Sequence, residues 1–324
     1  VRSSAASDVY KRQREDSMTQ KVIVIVGPTA VGKTALSIDI AKKYKGQIIS
    51  GDSMQVYKNL DIGTAKITPD EMEDIKHYMI DILQVQQRFS VADFIDNCRK
   101  DIREIANDDN IPIIVGGTGF YLQALLDGYS LGGDTFDQLS IERRKKWQLF
   151  MEKNGKERLW EELTKLDIVA ARKIPINNSR RVIRALEVIE QTGRLFSEQH
   201  DESNEEFEPL LIGLNTQRST LYERINKRVD IMIQTGLIEE AKYLYDLGGA
   251  TLPAGKGIGY KEFYPYFDGE ISKDEAIELV KRNSRRYAKR QLTWFRNKMN
   301  VVWFDLVNNP EDIKKIYKLI DDWI

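Results

Sequence analysis

Apolar and polar positions change period repeatedly along the chain. Residues 22–26 form an unbroken β-branched run, Val22-Ile23-Val24-Ile25-Val26, stopped by Gly27, and a helical pattern follows over 34–44. The run Gln47-Ile48-Ile49-Ser50 reads as a second strand, halted by Gly51-Asp52. Ser90-Val91-Ala92-Asp93 has the form of a capping box, and Phe94, Cys98, Ile102 and Ile105 recur behind it at helical spacing. Strand runs return at 111–115, 210–214 and 301–304, with a helix at 120–126 after the first and Leu221, Ile225, Val229, Met232 and Ile233 marking another after the second. Strand, loop and helix in repeated order predict a parallel sheet covered on both faces.

Between about 127 and 207 the strand signal stops. This stretch is charged and helix-prone, and it ends in the acidic run 201–206, read as a solvated linker. Residues 1–17 have neither apolar periodicity nor the apolar centre of a signal peptide, and read as an added or frayed extension before Met18. The expected organisation is an α/β core in two parts, 18–127 and 207–324, with a helical insertion domain at 128–206.

Composition narrows the classes. Apolar residues make up 41% and charged residues 31%, which suits a globular chain and excludes a low-complexity or wholly disordered one. No apolar run reaches the ~18 residues of a membrane-spanning helix. The single cysteine, Cys98, cannot form an internal disulfide, and with only His77 and His200 as imidazoles a Cys- or His-rich metal centre is not expected. A reducing, cytoplasmic setting follows. Cys98 sits on an apolar stripe and reads as core. Lys and Arg total 49 against 50 Asp and Glu, so the distribution of charge carries the information and the net charge does not.

Gly27-Pro28-Thr29-Ala30-Val31-Gly32-Lys33-Thr34 matches a phosphate-binding loop at every required position, with a strand before it and a helix after it. Such a loop aims successive N–H groups at an anion, adds the positive end of a helix and supplies an ammonium from Lys33. The Thr34 hydroxyl is positioned to reach Mg²⁺. In open α/β sheets the ligand crevice lies at the carboxyl ends of the strands. Three predicted strand ends therefore converge, carrying the phosphate loop, Asp52-Ser53 and Gly116-Gly117-Thr118. Asp52 is the candidate general base or metal-linked carboxylate. GTPase signatures are absent, since Asp61-Ile62-Gly63 and Asn226-Lys227-Arg228-Val229-Asp230 have the wrong spacing. An ATPase-type carboxylate is missing after the 111–115 strand, and Asp81 is its nearest stand-in.

Residues 281–298 hold eight basic side chains and no acidic one, with Tyr287, Trp294 and Phe295 interleaved. Arg282, Arg286 and Arg290 follow at i, i+4 and i+8, a stripe on one helix face suited to a phosphate backbone. Arg180-Arg181-x-x-Arg184 and Arg143-Arg144-Lys145-Lys146 extend the basic character into the insertion. A small-molecule or nucleotide kinase and a non-catalytic RNA-binding module are the competing readings.

Six stretches in order resemble the bacterial tRNA dimethylallyltransferase (tRNA isopentenyltransferase) family over about residues 21–303. They are the phosphate loop, Ile49-Ser50-Gly51-Asp52-Ser53-Met54-Gln55-Val56-Tyr57 running on to Asp61-Ile62-Gly63-Thr64-Ala65-Lys66, and Val115-Gly116-Gly117-Thr118-Gly119-Phe120-Tyr121. Arg184-Ala185-Leu186-Glu187, Gly257-Ile258-Gly259-Tyr260-Lys261, and Ala288-Lys289-Arg290-Gln291-Leu292-Thr293-Trp294-Phe295-Arg296 complete the set.

The resemblance implies a P-loop NTPase-like core. It also implies transfer of a dimethylallyl group from dimethylallyl diphosphate to N6 of the adenosine 3′-adjacent to the anticodon, in tRNAs reading codons that begin with U. It gives Asp52 the role of base, and to Thr29, Lys33, Arg228 and Mg²⁺ near Thr34 that of stabilising the departing diphosphate. Contacts to the tRNA anticodon stem-loop map onto Asp52, Ser53, Met54, Gln55, Thr118, Arg180, Arg181, Arg184, Lys256, Gly257, Gly259, Tyr260, Lys261, Arg286, Lys289, Arg290 and Gln291. His77 matches a family histidine and reads as structural. A monomer is expected.

Overall fold

The computed structural model describes residues 19–129, 138–198 and 206–324. The extension at 1–17, His200 and the acidic run apart from Glu206 lie outside the described residues. Two compact units divide the chain, one of Val1–Leu126 with Glu205–Ile324 and one of Asp127–Asn204.

In the first unit, six parallel strands form one sheet. They are β1 (Gln20–Val26), β2 (Gly46–Ser50), β3 (His77–Tyr78), β4 (Ile111–Gly116), β5 (Phe207–Leu214) and β6 (Val302–Phe304), in the order β3-β2-β4-β1-β5-β6. The fold is the expected parallel α/β sheet, with one strand more than the pattern predicts. β3 is two residues long and pairs Ile48 with His77 and Ile49 with Tyr78, too short for any alternation to register. Val22 to Val26 of β1 have no exposed surface, as expected of a strand covered on both faces.

Helices α1 (Lys33–Tyr44), α2 (Pro69–Met72), α3 (Val91–Asn107) and α4 (Gly119–Leu126) precede the insertion. The Ser90 capping box is present. Ser90 Oγ accepts from Asp93 N–H at 3.1 Å, and the Asp93 carboxylate accepts from Ser90 N–H at 2.8 Å. Phe94, Cys98, Ile102 and Ile105 behind it are buried, and burial holds the Cys98 thiol well above its ordinary pKa, so it is core. Glu206, the described end of the acidic run, is no free linker charge. It accepts from Arg99 Nε at 2.8 Å and Arg103 Nη2 at 3.0 Å, tying β5's start to α3.

The second unit contains α5 (Gln138–Leu166), broken at Gly155, then α6 (Ile168–Lys173) and α7 (Ser179–Thr192). Trp147, Leu159, Leu163, Ile174, Val182 and Leu186 form its own core. Part of the basic run expected to face a polyanion is neutralised inside this unit. Arg144 grips Glu187 through two bonds of 3.0 Å, and Lys146 pairs with Glu190 at 2.5 Å.

The first unit is completed by α8 (Arg218–Gln234), α9 (Leu237–Asp246), α10 (Tyr264–Phe267), α11 (Lys273–Lys298) and α12 (Asp312–Trp323). The sheet order reverses between β1 and β4, where a ligand crevice opens. Close backbone approach there depends on glycine, because a Cβ on Gly116 would stand 2.3 Å from the carbonyl oxygen of Gly51. Gly51 N–H meanwhile donates to Val115 O at 2.8 Å. Gly116→Ala is expected to destabilise the protein by roughly 3 kcal/mol, as an overpacked core position with no side chain able to yield. A urea midpoint lowered accordingly would be the measurement.

Candidate active site

A cleft of about 1030 Å³ occupies the crevice. Thr29, Ala30, Val31, Gly32, Lys33 and Thr34 of the phosphate loop line it, as do Asp52, Ser53, Met54 and Gln55 after β2 and Gly116 and Gly117 after β4. Arg228 of α8 and Lys256, Gly257, Gly259 and Tyr260 of the loop after α9 also line it, together with Gln291 of α11.

The phosphate loop is shaped for an anion. Gly32 caps α1 with φ 94° and, having no side chain, gives no capping bond to the first amides of that helix. Ala30 takes φ 67°, a conformation costly for a residue with a Cβ, and the Arg224 Nε bond to Ala30 O at 2.8 Å holds it there. The Lys33 ammonium folds back onto the carbonyls of Gly27 at 3.0 Å and Pro28 at 2.6 Å. Thr34 is exposed at the cleft wall.

Asp52 Oδ1 accepts from Met54 N–H at 2.8 Å, an Asx turn that aims the carboxyl group. Burial in the cleft pushes the Asp52 carboxyl above the ordinary carboxylate range, opposed by that N–H and by the charges of Lys33 and Arg228. Burial also pushes the Lys33 ammonium down to about 7, with Arg228 adding to the shift and Asp52 opposing it. The Arg228 guanidinium is lowered by burial and supported by Asp52 and Glu71. One carboxylate thus faces two cations in a poorly hydrated space, so each group's protonation depends on the others.

Helix α11 divides the candidate tRNA-contacting residues between two faces. Ser284, Tyr287 and Gln291 follow at i, i+3 and i+7 and line the cleft, whereas Arg282, Arg286, Lys289 and Arg290 are exposed. Gln291 is 5% exposed and its Nε2 donates to Gly117 O at 2.9 Å. Tyr287 bonds with Thr118 and Gln291, and burial together with the nearby Asp52 charge pushes its hydroxyl up to about 12. Thr118 Oγ1 in turn accepts from Ser53 N–H at 3.2 Å. Sequence reasoning placed Tyr287 only within the basic, aromatic-interleaved run and missed Arg224 as a site residue. The 3-then-4 spacing of Ser284, Tyr287 and Gln291 is the signal that marks them as one face.

Other candidates fall elsewhere. Tyr260 has no exposed surface and donates its hydroxyl to Glu240 Oε1 at 2.7 Å, so it backs the cleft wall with its hydroxyl held inside the fold. Lys256 and Lys261 are exposed. Arg180, Arg181 and Arg184 belong to α7 of the second unit. Asp81 forms a pair with Lys66 at 2.6 Å, as does Asp61, which makes it part of a structural triad. His77 Nδ1 lies 2.8 Å from Ile75 O, and burial lowers its pKa.

A lysine with a pKa near 7 is mostly neutral at pH 8, and an incoming anion restores its charge. Binding of inorganic diphosphate at pH 8 is expected to take up about one more proton in the wild-type protein than in Lys33→Met. Calorimetry in buffers of different ionisation enthalpy measures the difference.

A family profile described as IPP transferase matches residues 55–298. The tRNA dimethylallyltransferase of Ligilactobacillus salivarius is 98% identical over 307 residues, covering 95% of this chain and 100% of that protein. The Limosilactobacillus reuteri enzyme of the same name is 59% identical over 305 residues, covering 94% and 99%. Among solved structures, the tRNA isopentenylpyrophosphate transferase of Bacillus halodurans superposes with a TM-score of 0.71 at 47% identity, covering 94% of this chain and 96% of that one. A eukaryotic dimethylallyltransferase described as acting on tRNA gives 0.75 at 30% identity, over 88% and 74%. With relatives this similar matching end to end around the cleft just described, the chain belongs to the IPP transferase family.

Proposed function

We propose that this protein transfers the dimethylallyl group of dimethylallyl diphosphate to N6 of the adenosine 3′-adjacent to the anticodon, in tRNAs reading codons that begin with U. The observation that carries the reading is the shared cleft, in which the Asp52 carboxylate stands opposite the phosphate loop and the Lys33 and Arg228 cations. A kinase of small molecules shares the loop and can use a carboxylate base as well, but it has no use for the exposed basic stripe of Arg282, Arg286 and Arg290 on α11.

Adenine N6 is a weak nucleophile because its lone pair is delocalised into the ring. Asp52, raised above the usual carboxylate range, is the better proton acceptor for it. As the N6–C1 bond forms and the allylic C1–O bond breaks, the N6 proton passes to Asp52 and diphosphate departs. Charge then builds on phosphate oxygens. The loop amides, Thr29, Lys33 and Arg228 are placed to stabilise it, at roughly 3–4 kcal/mol for a well-aimed donor.

Thr34 offers one hydroxyl to the cleft, and no group of three or more acidic, His or Cys side chains gathers as a metal site among the described residues. That donor set fits Mg²⁺ held mainly by diphosphate oxygens and water, with Thr34 as a single protein ligand. When bound there, Mg²⁺ would neutralise leaving-group charge. The target base must leave its stack at a cost of a few kcal/mol. Exposed Arg282, Arg286 and Arg290 supply phosphate contacts that position the anticodon stem-loop. In this reading the enzyme works in the cytoplasm as a monomer. No helix among the described residues is long and apolar enough to cross a membrane.

Incubation with dimethylallyl diphosphate and unmodified tRNA should yield a prenylated adenosine by mass spectrometry, and ATP consumption without tRNA would overturn the proposal. Asp52→Asn is expected to lower the transfer rate by about 10²–10⁴-fold, with tRNA affinity nearly unchanged. In the wild-type enzyme the rate should fall as pH drops through an acid limb above the ordinary carboxylate range, because protonated Asp52 cannot accept the N6 proton. Arg286→Ala should weaken tRNA binding and reduce the salt slope by about one, read by binding titrations over a salt series.

A further inference from the structure

The carboxylate of Glu240 lies outside the cleft, yet it is saturated by donors from two segments that wall it. Oε2 accepts the N–H groups of Asp61 at 2.8 Å and Ile62 at 2.9 Å. Oε1 accepts Gly63 N–H at 2.8 Å and the Tyr260 hydroxyl at 2.7 Å. Three successive backbone amides closing on one anion form a nest, here filled by the protein's own side chain. The nest is specific to this carboxylate, because all four partners are donors and an amide side chain would turn one donor against another.

The two segments are then packed into one body. A Cβ on Gly63 would stand 2.5 Å from the Tyr260 ring, so the loop lies flat against that ring. Burial and the Glu240 charge hold the Tyr260 hydroxyl far above its ordinary pKa, which keeps it a donor. Behind the nest, Gln55 Nε2 reaches Thr64 O and Ala65 O, each at 3.3 Å, while its Oε1 accepts from Ser50 Oγ at 2.8 Å. The chain of bonds runs from α9 through the 61–65 loop to Ser50, the last residue of β2.

The phosphate-binding side has separate supports. Arg224 holds Ala30 at 2.8 Å. Helix α8, which carries Arg228, is tied to α11 by Arg285 on Asn226 at 2.5 Å and by Lys281 on Asp230 at 2.8 Å. Loss of the nest therefore loosens the wall bearing Met54, Gly257 and Lys256 without releasing the cradle for the donor.

We infer that Glu240 is a positioning residue for the RNA acceptor: by filling the Asp61–Ile62–Gly63 nest and holding Tyr260, it fixes the wall against which the target nucleotide docks. The inference rests on the proposed transferase activity. In Glu240→Gln, the KM for tRNA is expected to rise about 10-fold, the loss of charge-assisted bonds, while kcat and the KM for dimethylallyl diphosphate stay within about twofold. Tyr260→Phe keeps the ring against Gly63 and removes one of the four bonds, so the tRNA KM should rise about 2–3-fold. It decides the matter alone if Glu240→Gln fails to fold. A tRNA KM unchanged in the folded variants, or a donor KM rising in step with it, overturns the inference. Absence of transfer by the wild-type enzyme would instead overturn the proposed function.

Discussion

The site depends on placing opposite charges together where water is scarce. Asp52, Lys33 and Arg228 each lose hydration in the cleft, and each is shifted toward its neutral form by that loss. What keeps them ionisable is the attraction of Asp52 to each of the two cations, which repel one another, supplemented by the Met54 amide on Asp52 and the Gly27 and Pro28 carbonyls on Lys33. Buried ion clusters contribute little to stability because desolvation offsets the attraction. Their value here is chemical, since the same burial makes Asp52 a stronger base and Lys33 a more responsive cation. The rest of the fold serves this arrangement: three parallel strands end side by side, and the Gly51–Gly116 contact lets their loops meet.

The parallel sheet was legible in the residue pattern because its strands are short β-branched runs closed by glycine, as in Val22 to Val26. The strand at His77–Tyr78 was not, since two residues carry no period. Within the site, the convergence of the glycine-rich loop and Asp52 on one cleft could be read directly because each follows a strand end. Tyr287 and Arg224 could not, since each acts through a partner far along the chain, Thr118 for one and the Ala30 carbonyl for the other. Basic runs were the least reliable guide. The stripe at Arg282, Arg286 and Arg290 is exposed, but Arg144 and Lys146 are absorbed by Glu187 and Glu190 within their own unit. A string of cations does not reveal which carboxylates the fold will bring opposite it.

The division of α11 into two faces gives one helix two tasks. Tyr287 and Gln291 complete the wall beside Asp52, while the arginines a half-turn away stay in solvent. Arg290 also lies over the Tyr287 ring, with 5.6 Å to its centroid, so the two faces are not independent. Exposed cationic charge and side chains that line the cleft are thereby carried on a single helix.

Strand β1 lies between β4 and β5, and β5 follows the whole second unit in the chain. On the ribosome, the most apolar strand of the molecule therefore emerges early and waits, one edge unpaired, until about residue 214 has cleared the exit tunnel. Over that interval a nascent chain displays Val22 to Val26 as a template for unwanted strand addition. The second unit lies between β4 and β5 in the chain, so its length sets the interval before that edge of β1 can pair.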